Sequence, residues 1–139
     1  MVNIVINSDP RYKVNKSVVQ DAVIEALEKH HLHGKIEVSV SIVGDRKMHE
    51  LNQKYRGIDS TTDILSFAFE YPMPSSLQHI PRVGFVAAPD QVLRLGDIVL
   101  SLPQVLEDAA ENGTTVDEEI KFLLDHGVNH LLGIHHAEN

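Results

Sequence analysis

Apolar and polar positions along the chain alternate between the patterns of strands and of helices. The runs "NIVIN" at 3–7 and "KIEVSVSIVG" at 35–44 are rich in β-branched residues and predict two strands. The runs "TDILSFAFE" and "GDIVLS" predict two more. Apolar residues at helical spacing predict a helix over 15–32, which Gly34 can end, and a second helix is predicted near 45–55. This alternation is typical of an α/β or α+β domain.

The C-terminal part of the chain predicts two further helices. Ser101 and Gln104, with Pro103 between them, mark the start of one helix. Thr115 and Glu118 form a capping-box pattern at the start of the other. Along this last helix an apolar stripe recurs at successive turns, formed by Val116, Ile120, Leu123, Leu124, Gly127 and Leu131.

Length and composition indicate one globular domain, residues 1–139. Of the 139 residues 42% are hydrophobic, 23% are charged and none is cysteine, so the chain supports neither a disulfide framework nor a thiolate metal site. It has no signal-peptide pattern and no apolar run long enough for a membrane span, so we expect a cytoplasmic protein without a membrane partner. Four of the six prolines lie between Glu70 and Leu95, which predicts a long loop of the kind that is often functional or mobile.

The distribution of charge leaves two interpretations open. A net charge of −8 argues against a protein that binds nucleic acid over its whole surface. Net charge is not local charge, however, and two groups of basic residues stand close together in the sequence: Arg46, Lys47, Lys54 and Arg56, and Arg11, Lys13 and Lys16. They form either a basic cleft on an acidic body or the solvated faces of two helices.

Four of the nine histidines lie in the segment "HGVNHLLGIHH" near the C-terminus. His126 and His130 are four residues apart, so a helix projects both from one face. Gly133 stands where a helix commonly ends in a left-handed residue, and a turn there can carry His136 back toward the first two. Three neutral imidazoles suit zinc and leave a fourth tetrahedral position for water. The segment therefore predicts a catalytic zinc site, with another divalent ion as the alternative.

The ligand spacing is that of the metzincin proteases, but Gly127 occupies the position of their catalytic glutamate. The loss of that proton acceptor counts against a protease. The remaining histidines are interpreted as core or surface residues: His30, His31, His33, His49 and His79.

The same segment resembles the signature of the YbeY family of rRNA-maturation factors, which are described as single-strand-specific metal-dependent endoribonucleases. The family signature is HGxLHLxGYDH, and this chain has six of its nine defined positions and departs from it at Asn129, Ile134 and His135. Two further segments are similar to the family in the same order, "LNQKYRGIDSTTDILSF" at 51–67 and "LGDIVLS" at 95–101.

The resemblance implies a mixed sheet of about four strands flanked by helices. It also implies a zinc ion held by His126, His130 and His136, with Arg56 facing the same cleft as the predicted catalytic residue. A guanidinium suits this role because its planar fork donates two parallel hydrogen bonds to phosphoryl oxygens. From the residues alone, a surface ion pair between Arg56 and Asp59 is the favoured interpretation.

Three other residues of these segments are assigned with less weight. Ser66 and Asp97 are interpreted as strand-end residues outside the catalytic set, although both are candidates for the border of the cleft. His135 and His136 are adjacent, and successive side chains of an extended segment point to opposite sides, so only one of them is expected to face the other ligands. The family pattern selects His136.

The predicted function is therefore that of a metal-dependent endoribonuclease in rRNA maturation and ribosome quality control. In this hypothesis a zinc-bound water attacks a phosphodiester of single-stranded RNA while Arg56 holds the phosphate. The alternative is a non-catalytic factor that binds rRNA, the ribosome or a ribosomal protein and uses the metal only to hold its C-terminal end. A zinc-dependent protease is the less favoured third interpretation.

Overall fold

The computed structural model describes residues 2–32, 34–69 and 92–133. In chain order these form β1 Val2–Ser8, α1 Lys16–Lys29, β2 Ile36–Val43, α2 Asp45–Arg56, β3 Ile64–Ala68, β4 Leu93–Ser101, α3 Leu102–Asn112 and α4 Val116–Leu131. The predicted alternation of strands and helices is confirmed. Within these ranges, no helix is both long and apolar enough to cross a membrane.

The four strands form one mixed sheet in the order β1-β2-β4-β3. Strands β1, β2 and β4 are parallel, whereas β3 is antiparallel to β4. In the described part of the chain β3 is therefore an edge strand. The predicted mixed sheet of four strands flanked by helices is confirmed, in a single small α+β domain.

The two faces of the sheet carry cores of different size. The larger core lies between the sheet and the helices α1 and α4, and alternate residues of β2 fill it: Ile36, Val38, Val40 and Ile42. Helix α2 packs on the opposite face near β3 and β4, where Met48, Leu65 and Val99 form a smaller buried cluster. Strand β3 is thus contacted by α4 on one face and by α2 on the other.

The loop predicted between Glu70 and Leu95 lies largely outside the described residues. Its predicted end is wrong by two residues, because β4 begins at Leu93. The backbone N–H of Leu93 donates to the Lys35 carbonyl at 2.8 Å, which joins this strand to the beginning of β2.

The starts of the last two helices are as predicted, but only one carries the expected cap. At α4 the N–H of Glu118 donates to Thr115 Oγ1 at 3.1 Å, and the N–H of Thr115 donates to Glu118 Oε1 at 3.0 Å. The backbone N–H of Thr115 is the main reason that the pKa of Glu118 is lowered. At α3 Ser101 is the N-cap residue, but its hydroxyl makes no capping hydrogen bond and donates to Asp45 Oδ1 at 2.7 Å instead.

Candidate active site at the edge of the sheet

Gly127 lets α4 lie close against the last two strands. A Cβ at this position would lie 3.0 Å from Ile64 Cδ1, 3.1 Å from Ile98 Cδ1 and 3.2 Å from Ser66 Oγ. A glutamate here would be crowded by these side chains, which would have to shift to admit it. The glycine that stands at the metzincin glutamate position is therefore explained by packing, and the structure leaves a protease of that type no general base at residue 127.

His126 and His130 come together on one flank of α4, as their spacing predicts. Their ring centroids are 4.5 Å apart, and the ring planes are inclined by 49°. Both residues are half-buried, and the Nε2 atom of His130 is buried. The helix thus presents two imidazole groups side by side, partly shielded from solvent.

Contacts with α1 fix which way this pair faces. Lys29 Nζ donates to Asp125 Oδ1 at 2.8 Å, and His30 Nε2 lies 2.8 Å from Asn129 Oδ1. In the sequence, each candidate ligand comes directly after one of these two α4 residues. Its side chain therefore lies about 100° further round the helix axis than the side chain that contacts α1. The imidazoles therefore face away from α1, toward the side of the molecule where β3 forms the sheet edge.

The contact with His30 also accounts for one departure from the family signature. Asn129 replaces a leucine of the signature and is buried, with 8% of its surface exposed. A buried amide requires a hydrogen-bond partner, and His30 supplies one from α1. The departure at 129 therefore belongs to the packing of α1 on α4, and not to the metal-ligand face.

Arg56 is the last residue of α2, which ends at Gly57 in a left-handed conformation with φ of 69°. Its side chain is exposed. The ion pair expected with Asp59 is wrong, because Asp59 Oδ1 lies 2.6 Å from His49 Nε2 instead. The neighbouring Tyr55 contacts Phe67, so the end of α2 that carries the arginine lies beside edge strand β3.

Ser66 and Asp97 lie on opposite faces of the sheet. Ser66 is paired with Ile98 and faces α4, where its hydroxyl lies against Gly127. Asp97 is paired with Phe67 and is exposed on the α2 face. Ser66 thus packs against the histidine helix, whereas Asp97 lies on the other face of the sheet.

A group of carboxylates surrounds the other end of α4, and sequence patterns gave no sign of it. Burial raises the pKa of Asp108 to about 7, with further contributions from a hydrogen bond to Asp63 and from the charges of Asp63, Glu119 and Glu111. The buried carboxylate of Glu119 accepts a hydrogen bond from Asn112 Nδ2 at 2.9 Å. Asp108, Glu111 and Glu119 come together where α3 packs on α4, and Asp63, which is distant in sequence, joins them from the residue before β3.

The described residues contain two of the three predicted metal ligands, and His136 lies outside them. Within 2–32, 34–69 and 92–133 no group of three or more His, Asp or Glu side chains is arranged to hold a metal ion. The donor chemistry of the paired imidazoles nevertheless fits a borderline-soft divalent ion such as zinc. The three-histidine site therefore stays a prediction, in which the side chains of His126 and His130 lie next to each other.

A family model described as Endoribonuclease YbeY matches residues 5–139 of this chain. The chain belongs to the YbeY family. A relative named Endoribonuclease YbeY from Roseiflexus castenholzii is 40% identical over 129 residues, which are 91% of this chain and 75% of the relative. Relatives of the same name from Chloroflexus aurantiacus and Caldicellulosiruptor saccharolyticus are 37% and 36% identical over 96% and 97% of this chain, and 80% and 84% of their own lengths.

A solved structure agrees with the fold. The solution structure of a protein from Thermotoga maritima matches 100% of this chain and 77% of its own, with a TM-score of 0.55 and 24% sequence identity. The family predicted from the signature is confirmed, and with it the prediction of an enzyme of the nuclease class.

Proposed function

We propose that this YbeY-family protein cleaves single-stranded RNA during rRNA maturation and ribosome quality control, in the cytoplasm. Its metal ion, zinc or another divalent ion, is held by His126, His130 and His136. The observation that supports this most is the pairing of the first two imidazoles on the flank of α4 beside the sheet edge. The family's name supplies the reaction.

The chain's own residues have separate parts in the proposed reaction. A bound divalent ion supplies a water whose pKa is lowered toward about 7 and an electrophile for a phosphoryl oxygen. Arg56, exposed at the end of α2, binds the phosphate through its guanidinium and stabilises the charge that develops there. Gly127 holds the histidine flank at a fixed distance from β3, because the helix rests directly on Ile64 and Ser66.

RNA cleavage by purified protein tests this proposal. Zinc-loaded wild type should cleave an unstructured RNA, and His126→Ala should abolish cleavage. Phe122→Ala is the matched control, since Phe122 lies on the same helix and is 68% exposed; it should cleave at the wild-type rate. Equal cleavage by wild type and His126→Ala would indicate a contaminating nuclease and contradict the proposal.

A non-catalytic role on the ribosome is the second candidate, supported by the net charge of −8 and by the replacement of the signature aspartate by His135. In that role the protein binds rRNA, the ribosome or a ribosomal protein, and the metal only stabilises the C-terminal end. Sedimentation with ribosomes separates the two candidates. Metal-loaded protein that cosediments but cleaves no RNA would favour the second.

A further inference from the structure

Tyr55 and Phe67 form an aromatic pair on the α2 face of the sheet edge. Their ring centroids are 5.2 Å apart and the rings meet edge to face, at 64°. Phe67 is half-buried against the cluster of Met48, Leu65 and Val99, so its ring is anchored in the core. Tyr55 remains 57% exposed. The pair therefore consists of one fixed ring that orients a second, largely open one.

One cation lies over the exposed ring, and a second is next in the chain. Lys54 Nζ lies over the ring of Tyr55, 5.2 Å from its centroid, and Arg56 follows Tyr55 in the sequence. Both side chains are exposed, and neither forms an ion pair with a carboxylate of the described residues. This local positive charge stands on a protein whose net charge is −8. An exposed aromatic ring next to cations without a carboxylate partner among the described residues complements a ligand that has both a flat ring and phosphates.

We propose that Tyr55 is a stacking platform for one unpaired nucleobase of the RNA, while Lys54 and Arg56 contact the flanking phosphates. Stacking of bases on aromatic side chains combined with basic residues along the backbone is how proteins bind single strands without reading sequence. Bases within a duplex are already stacked and paired, so the platform selects single-stranded RNA. This inference rests on the proposed function and assigns part of its substrate specificity to Tyr55.

The position of the platform relative to the imidazoles supports this assignment. Strand β3 carries Phe67 on one face and Ser66, which contacts the histidine helix at Gly127, on the other. A single strand that crosses the edge of β3 would place one base on Tyr55 while an adjacent phosphate reaches toward the α4 side. Arg56, next to the platform, would then contact the phosphate near the scissile bond.

Binding without cleavage tests the platform. Fluorescence anisotropy in the presence of a metal chelator compares a labelled oligouridylate with an oligomer of equal length that lacks bases. Tyr55→Ala should raise the Kd for the oligouridylate roughly 5- to 150-fold and leave the Kd for the abasic oligomer unchanged. Tyr55→Phe should bind like wild type, because stacking needs the ring and not the hydroxyl. Phe122→Ala is the control for loss of an exposed aromatic and should have no effect.

Lys54, the cation beside the ring, can be tested separately from the ring itself. Lys54→Gln should weaken binding of both oligomers and lower the slope of log Kd against log salt by about 0.7 to 1, as expected for one lost phosphate contact. A salt slope equal to that of wild type would contradict the phosphate contact.

Three results would overturn the platform. These are equal wild-type affinity for the two oligomers, an unchanged Kd of Tyr55→Ala for the oligouridylate, and a Tyr55→Phe variant that is as weak as Tyr55→Ala. If zinc-loaded wild type still cleaves RNA in those cases, the inference fails while the proposed nuclease function stands. Conversely, base-dependent binding through Tyr55 in a protein that never cleaves RNA supports the platform and contradicts the nuclease.

Discussion

Titratable side chains cluster at both ends of α4, but the two clusters differ in their chemical groups and in their contacts. Around the first turn the groups are carboxylates, and three of them have partners in the fold: Glu118 forms a capping box with Thr115, Glu119 accepts from Asn112, and Asp108 of α3 has a pKa raised to about 7 by burial and by a hydrogen bond to Asp63. At the last turn the groups are imidazoles, with the rings of His126 and His130 side by side and inclined by 49°. A neutral imidazole costs less to bury than a carboxylate and is also a metal donor.

The difference separates a structural cluster from the proposed metal-binding one. Carboxylates that hydrogen-bond to neighbouring threonine and asparagine side chains contribute to the junction of α3 and α4. Paired imidazoles that face away from α1, on a helix that lies against β3 at a glycine, are the groups that can donate to a metal ion. We therefore interpret the first turn as a structural junction and the last turn as the metal-binding end.

The largest expected effect is the loss of a metal ligand at the histidine end. His136→Ala should lower zinc affinity by orders of magnitude, whereas His135→Ala should cost at most the roughly 10- to 100-fold typical of a residue that only orients a ligand. Competition with a chromogenic chelator measures both. If His135→Ala loses the metal and His136→Ala keeps it, the ligand assignment taken from the family is wrong at this position.

A side chain at Gly127 should disturb the histidine end next most strongly. In Gly127→Val the side chains of Ile64, Ile98 and Ser66 must shift to admit the new side chain, and overpacking of this kind costs about 1–3 kcal/mol of stability. Urea denaturation measures the change. Ala110→Val on the exposed side of α3 is the control, because it adds a similar side chain in a helix without a packed neighbour. Because valine has a higher helix propensity than glycine, a loss of stability at residue 127 cannot come from propensity. A Gly127→Val variant as stable as wild type would contradict the contact with β3.

The carboxylate end should respond to pH. The pKa of Asp108 is raised to about 7 in the folded state, so the native protein holds a proton that the unfolded chain releases at lower pH. This group's contribution to stability is therefore present at acidic pH and is lost as pH rises toward and past about 7. Asp108→Asn should stabilise the protein at pH 8, and the gain should shrink as pH approaches 4. A gain independent of pH would contradict the cause assigned to it.

The smallest effect is expected at the cap of α4. Thr115→Ala removes the acceptor for the Glu118 N–H and should cost about 1 kcal/mol. Thermal denaturation measures it, and Thr115→Ser is the control because its hydroxyl can still accept. RNA cleavage by folded Thr115→Ala should equal that of wild type. A loss of cleavage at a temperature where the variant is folded would show that the two ends of α4 are coupled.

Sequence patterns predicted the parts of this molecule that depend on local spacing. The capping box of Thr115 and Glu118 and the shared flank of His126 and His130 both follow from helical periodicity within a few residues. The glycine that ends α4 also follows from local rules, since Gly133 has φ of 77° and its N–H donates to the His130 carbonyl at 3.0 Å.

Contacts between distant segments could not be predicted in this way. The His30 and Asn129 side chains are 99 residues apart in the chain and meet because α1 packs on α4. Tyr55 and Phe67 meet across α2 and β3, and Asp63 and Asp108 meet across β3 and α3. Helical or strand periodicity fixes the face on which a residue lies, but not which element packs against that face.

The proposed metal site lies at the last turn of α4 and not at its first turn. The decisive experiment is anomalous scattering at the zinc edge, from crystals of protein purified without added metal. One anomalous peak is expected beside the imidazoles of His126 and His130. A peak instead at the carboxylates of Asp63, Asp108 and Glu119 would contradict it.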